Sequence, residues 1–250
     1  MTAARRIPLT LAVFAVTAAF SLAQFSFPAV LTSLQRTPAI RDGQVWRLVT
    51  SLLVQDGGWF GTISNLFFLL LVGALAELTV RRWLWATCYL GCGLAAELIA
   101  LSWQPTGGGN SIAICGLAGA LTVALLARPL RPSAAWRTDA LGSDLRPRHL
   151  WLPAGVAWWS VALLGTASEV ALYIGAVGGV AVQIALVAGG EQGRGNRTLG
   201  RIVAVGALLV GIALTALRNI HGPPLLLGAA ICSASIYASM RIWKQSKRER

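Results

Sequence analysis

The sequence predicts an all-α protein, a polytopic bundle of membrane helices. Three observations carry that expectation. Of the 250 residues, 56 % are hydrophobic and only 12 % charged, far from the balance of a soluble domain. The apolar residues fall in blocks long enough to cross a hydrocarbon core about 30 Å thick. Arg and Lys gather in alternate connections between those blocks. In chain order the blocks cover about 8–31, 60–79, 83–102, 111–127, 151–167, 170–189, 200–217 and 222–243, eight candidate spans with no soluble appendage. Residues 1–250 therefore read as a single membrane domain.

The first block follows Arg5 and Arg6, as a signal peptide would, but it is long and lacks an A-x-A site, so a retained span is expected. The outer loop 32–59 carries Trp46, Trp59 and Pro38, which suit a segment lying in the interface. The 128–150 loop holds three prolines, five arginines and two aspartates, the composition of a solvated cytoplasmic connector, and His149 sits in it beside Arg148. Blocks 151–167 and 170–189 meet at a tight turn around Ser168 and Glu169 and form a helical hairpin, with Gly175, Gly178 and Gly179 permitting close packing. Cys88, Cys92, Cys115 and Cys232 all fall in apolar blocks, with neither zinc-site nor disulfide-framework spacing, and read as small packing residues.

The net charge of +12 would suggest nucleic acid in a soluble chain. Its distribution argues otherwise. With the N-terminus cytoplasmic, 17 of the 21 Arg and Lys residues lie inside, and only Arg36, Arg41, Arg47 and Arg218 lie outside. That bias places both termini in the cytoplasm of a plasma membrane. It also lays the basic tail 244–250 against anionic headgroups. Scarce lysine beside abundant Arg, Ala and Gly points to a bacterial source.

Ionisable groups in a bilayer are costly and call for a role. Glu77, Glu97 and Glu169 lie near span ends, and His221 opens the last block. There is no aspartate pair within the spans and no H-E-x-x-H, which excludes aspartyl and zinc protease chemistry. A hydroxyl nucleophile with a histidine base remains. Ser111 closes Gly107-Gly108-Gly109-Asn110-Ser111 at the mouth of the fourth block, and topology puts it and His221 at outer ends of their helices. The fourth block is short, at roughly 26 Å on a 1.5 Å rise, which would leave Ser111 at the floor of a water-filled depression. Backbone N–H groups at that helix start and the side chain of Asn65 are candidate oxyanion donors. Each signal has a plainer counterpart: Ser111 as a helix cap, Asn65 as interhelical glue, and Gly116, Gly119, Gly222 and Gly228 as packing positions.

Read in order, the chain resembles the rhomboid family of intramembrane serine proteases. Gly43-Gln44-Val45-Trp46-Arg47-Leu48-Val49-Thr50-Ser51 is similar to that family's G-x-x-W-R-x-x-T-x outer loop. Asn65 through Gly73 to Glu77 resembles its N…G-x-x-x-E helix. The run G-N-S-I-A-I-C-G-L-A-G-A from Gly109, with Asn110, Gly116 and Gly119, resembles the helix that holds its nucleophile. Residues 36–127 form the clearest part of this core. The resemblance implies Ser111 as nucleophile, Asn65 as oxyanion donor, and Trp46/Arg47 as part of a membrane-embedded insertion.

There are three departures. Ile112 replaces the glycine after the serine, Gly61 stands where the family often has a histidine, and two segments compete for the family's histidine helix. The sixth offers Gly175 to Gly179 with Ala176 at the histidine position; the eighth offers His221 with Gly228 seven residues on. The eighth predicts a serine endopeptidase with a Ser111/His221 dyad, acting on single-span membrane proteins in the lipid bilayer without cofactor, metal or nucleic acid. The sixth predicts an inert rhomboid-like binder of membrane clients. A small transporter is a third class, with Gln183 as its only polar midplane candidate.

Overall fold

The computed structural model describes residues 7–127 and 195–248. The predicted spans 151–167 and 170–189, with Glu169, Ala176 and Gln183, and the loop 128–150 lie outside the described residues. The described chain is helical: α1 (Pro8–Ser26), α2 (Pro28–Leu34), α3 (Arg47–Thr50), α4 (Gly58–Thr79), α5 (Arg82–Trp103), α6 (Ser111–Ala127), α7 (Gly195–Ala216) and α8 (Gly222–Arg248). Arg36 and Gly107 pair in an isolated antiparallel bridge. The helices α1, α4 and α5 and the stretch Gly222–Arg241 of α8 are long and apolar enough to cross a membrane. The apolar stretches Ser111–Ala124 and Ala204–Ala216 are shorter.

The first predicted span, 8–31, is two helices rather than one. Pro28 has no N–H to donate, and its ring forces Phe27 out of the helical region, to φ −129 and ψ 87. The outer loop is built of short helical turns. Short 3₁₀ turns at Pro38–Ile40 and Ser51–Leu53 flank α3. Arg47 folds the loop back onto α2, donating from Nη1 to the carbonyls of Thr32 at 2.9 Å and Gln35 at 2.8 Å. At the other end of the chain, the segment expected as a basic tail continues α8 to Arg248.

Among the described residues Leu11, Phe20, Ile63, Phe67, Leu98 and Leu209 are exposed, as lipid contact requires. Polar groups turn inward. The buried residues of α1 are Thr10, Thr17, Ser21 and Gln24, which share one face at helical spacing. Glu77 of α4 is buried and accepts from the backbone N–H of Leu9 at 3.1 Å and of Thr10 at 2.8 Å. A carboxylate supplied from another helix thus satisfies the open N-terminus of α1.

The bundle closes around α6, whose residues Ile112 to Leu121 are buried on every side. Three glycines make that possible. A Cβ on Gly116 would lie 2.2 Å from the carbonyl oxygen of Cys88 in α5. One on Gly119 would lie 1.9 Å from the oxygen of Leu225, and one on Gly228 1.9 Å from that of Gly116. Backbone therefore rides on backbone where α6 meets α5 and α8, the small-residue contact favoured between membrane helices. The four cysteines are buried and free, as expected of packing residues.

Candidate active site

Two helix starts form the site. Ser111 is the first residue of α6, and His221 immediately precedes α8. The Gly116–Gly228 contact fixes these helices side by side, and both begin at the same end. Ser111 Oγ consequently lies 2.9 Å from His221 Nε2.

The loop before Ser111 is held by the outer loop through a continuous set of hydrogen bonds. Arg36 and Gly107 exchange backbone bonds at 2.8 and 3.1 Å. Asp56 N–H donates to the Gly108 carbonyl at 3.0 Å, and its carboxylate accepts from Gly108 N–H at 3.1 Å. Gly109 N–H donates to the Ser51 carbonyl at 2.9 Å. Beneath this loop the guanidinium of Arg36 forms a buried ion pair with Glu97 of α5 and donates from Nε to the Gln104 carbonyl at 3.0 Å. The glycines fit because little room is left: a Cβ on Gly107 would lie 2.8 Å from Arg36 Nη2.

Asn65 of α4 faces the same loop. The position a Cβ of Gly109 would take is 3.6 Å from both Asn65 Nδ2 and Ser111 Oγ, so the amide and the hydroxyl border one small space. Asn65 Nδ2 donates to Gln55 Oε1, and Gln55 Nε2 donates to Asn110 Oδ1 at 2.9 Å. The backbone of Gln55 is held in turn, its N–H by Gln24 Oε1 at 3.0 Å and its carbonyl by Gln24 Nε2 at 2.7 Å. Gln55 was not singled out in the sequence. Gly61 leaves its surroundings open, with nothing within 4 Å of a Cβ built there, while Gln55 makes the contact to Asn65. The other departure, Ile112, is absorbed into the core at 1 % exposure.

The histidine has a partner that sequence reasoning missed. Asn219 Oδ1 lies 2.7 Å from His221 Nδ1 and accepts the His221 backbone N–H at 3.0 Å. The signal was local, an asparagine two residues ahead of the histidine. His221 precedes the last span, and desolvation lowers its pKa from 6.5 to about 4, with the Arg36 charge a smaller push in the same direction. The imidazole is thereby neutral at physiological pH and able to accept a proton. Trp46 is exposed at the surface of the outer loop, and Arg47 serves the loop's own fold rather than the Ser111 surroundings. Among the described residues no cluster of His, Cys, Asp and Glu could hold a metal ion.

Fold and site together define a helical membrane protein with a serine–histidine pair where two of its helices begin. A family model, the Rhomboid domain, matches residues 42–189, and the chain belongs to the rhomboid family. That family is one of membrane proteins, generally intramembrane serine proteases, acting on transmembrane substrates in the lipid bilayer. No curated protein and no solved structure matches the chain. The family match takes in the outer loop from residue 42, Asn65 and Ser111, and it ends at residue 189, ahead of His221.

Proposed function

We propose that this protein is an intramembrane serine endopeptidase whose catalytic residues are Ser111 and His221. The observation that carries the reading is the 2.9 Å contact between Ser111 Oγ and His221 Nε2, within the reach that a general base needs to activate a hydroxyl. Ser111 attacks the scissile carbonyl of a transmembrane substrate while His221 takes its proton. The oxyanion is met by N–H groups at the start of α6 and by Asn65 Nδ2. His221 then passes the proton to the leaving amine, and water hydrolyses the acyl-enzyme with His221 again as base. Substrates are single-span proteins cut near the outer face of a bacterial plasma membrane, the side on which the charge distribution puts both helix starts.

A second reading has one observation in its favour. The family match ends at residue 189, before His221, which favours an alignment of the family's histidine helix with the sixth block, where Ala176 stands. On that reading the protein is an inert rhomboid that binds membrane clients. Fluorophosphonate labelling of the purified chain separates the two. Labelling of the wild type that is lost in Ser111→Ala and in His221→Ala supports the protease. A wild type that stays unlabelled where an active rhomboid protease reacts supports the inert binder.

A further inference from the structure

We infer that Asn219 is a positioning residue that makes the serine–histidine pair into a triad, holding His221 in the tautomer that leaves Nε2 free to take the Ser111 proton. This rests on the protease reading and adds a residue to it.

The direction of the hydrogen bonds follows from chemistry. The His221 backbone N–H can only donate, so the atom of Asn219 facing it at 3.0 Å must be the amide oxygen. That same oxygen lies 2.7 Å from His221 Nδ1. An amide oxygen can only accept, so Nδ1 carries the ring proton. In a neutral imidazole Nε2 then presents a lone pair, and it does so 2.9 Å from the Ser111 hydroxyl. The opposite tautomer would set two lone pairs against each other at Nδ1 and put a proton where the base must accept one. Asn219 is half-buried and supplies this acceptor without adding a charge beside the imidazole.

The turn that delivers Asn219 is built for the purpose. At the end of α7, Asn219 N–H donates to the Leu214 carbonyl at 2.8 Å and Arg218 N–H to that of Thr215 at 3.0 Å, the paired bonds of a Schellman motif. Its left-handed position is usually glycine; here it is Arg218, at φ 55. Left-handed geometry in a residue with a Cβ is strain that surrounding structure must hold, and such strain gathers at functional sites. Beyond it the Asn219 carbonyl accepts from Gly222 N–H at 3.2 Å, closing the turn onto the start of α8. The histidine is thus gripped by backbone, ring and turn within four residues.

Two measurements on the full chain in detergent test this. The first is the ¹⁵N spectrum of the histidine rings at neutral pH, with His149→Gln used to assign the two histidines. The expected result is a protonated Nδ1 and a bare Nε2 on His221, lost in Asn219→Leu. A wild-type His221 protonated on Nε2 overturns the inference, whatever the labelling shows. The second is the rate of Ser111 acylation by a fluorophosphonate. Asn219→Leu should slow it by about 10- to 100-fold, the range that metal-ligating histidines show when they lose the partner that orients the ring. Asn219→Asp retains the acceptor and should recover most of the rate. Its added negative charge should raise the His221 pKa and so move the acid limb of the profile upward in pH. A folded Asn219→Leu protein acylated at the wild-type rate, or a loss that Asp does not rescue, overturns the inference alone. Absence of acylation in the wild type overturns the protease reading and, with it, the triad.

Discussion

Gly228 of α8 lies against the backbone of Gly116 in α6 so closely that a Cβ on the former would sit 1.9 Å from the carbonyl oxygen of the latter. This contact sets the register in which two helix starts, 110 residues apart in sequence, place Ser111 beside His221. Gly228→Ala must push the helices apart, because the obstructing atom is backbone and has no rotamer to change. The expected outcome is a loss of about 1–3 kcal/mol in stability together with loss of Ser111 labelling, read by thermal denaturation in detergent and by fluorophosphonate reaction. Gly206→Ala, in a position with nothing within 4 Å of the added carbon, should change neither.

Some of this arrangement was legible in the sequence. Ser111–Ala127 is one helix with the predicted bounds, because a glycine-rich turn gives way abruptly to an apolar run. His221 stood out because an ionisable side chain beside a span needs a partner. The break at Phe27 was also written in the chain, in Pro28, but the unbroken apolar run across it suggested a single span. Gln55 and Arg36 were not legible. Gln55 meets Asn65 and Asn110 only after the outer loop has folded over the bundle, and Arg36 meets Glu97 across 61 residues. Neither pairing leaves a periodicity or a spacing to read. Asn219 was close at hand, yet its role depends on a left-handed turn at a residue, Arg218, that carries no glycine to announce it.

The depressed pKa of His221 makes a prediction about acidity. On the protease reading His221 acts as base only when neutral, and a pKa lowered to about 4 keeps it neutral well below the usual 6.5. Ser111 acylation should therefore hold its rate as pH falls through 6 and drop only as pH approaches the folded pKa. A rate-against-pH profile in detergent checks it. An acid limb centred near 6.5 would mean that the imidazole is hydrated in the working protein and that desolvation does not govern it.

The buried Arg36–Glu97 ion pair fastens the Ser111 loop to α5. Removing one partner leaves a buried charge uncompensated, which typically costs about 3–5 kcal/mol. Glu97→Leu and Arg36→Met should each lower the melting temperature strongly. The double variant, which buries no lone charge, should melt well above either single one. Labelling of Ser111 should remain impaired in the double variant, because the Arg36 bond to the Gln104 carbonyl at 3.0 Å is lost with the guanidinium. Full recovery of labelling there would show that the pair serves stability alone.

Gln55 holds the Asn65 amide by accepting one of its two N–H bonds. The other N–H remains for the space that Asn65 shares with Ser111. On the protease reading, an asparagine without that acceptor can turn its oxygen toward the developing oxyanion and repel it. Gln55→Met keeps the volume and deletes the acceptor, and it should slow acylation of Ser111 by a sizeable part of what Asn65→Ala costs, a loss of about 10²–10³ for one oxyanion donor. The decisive measurement is the double-mutant cycle. If Gln55 acts through Asn65, Gln55→Met should add almost nothing in the Asn65→Ala background, giving a coupling energy in the range of about 0.5–3 kcal/mol seen for residues in one hydrogen-bond network. Additive losses would assign Gln55 to the scaffold instead, through its bonds to Asn110 and Gln24, and would leave Asn65 to be oriented by the substrate itself.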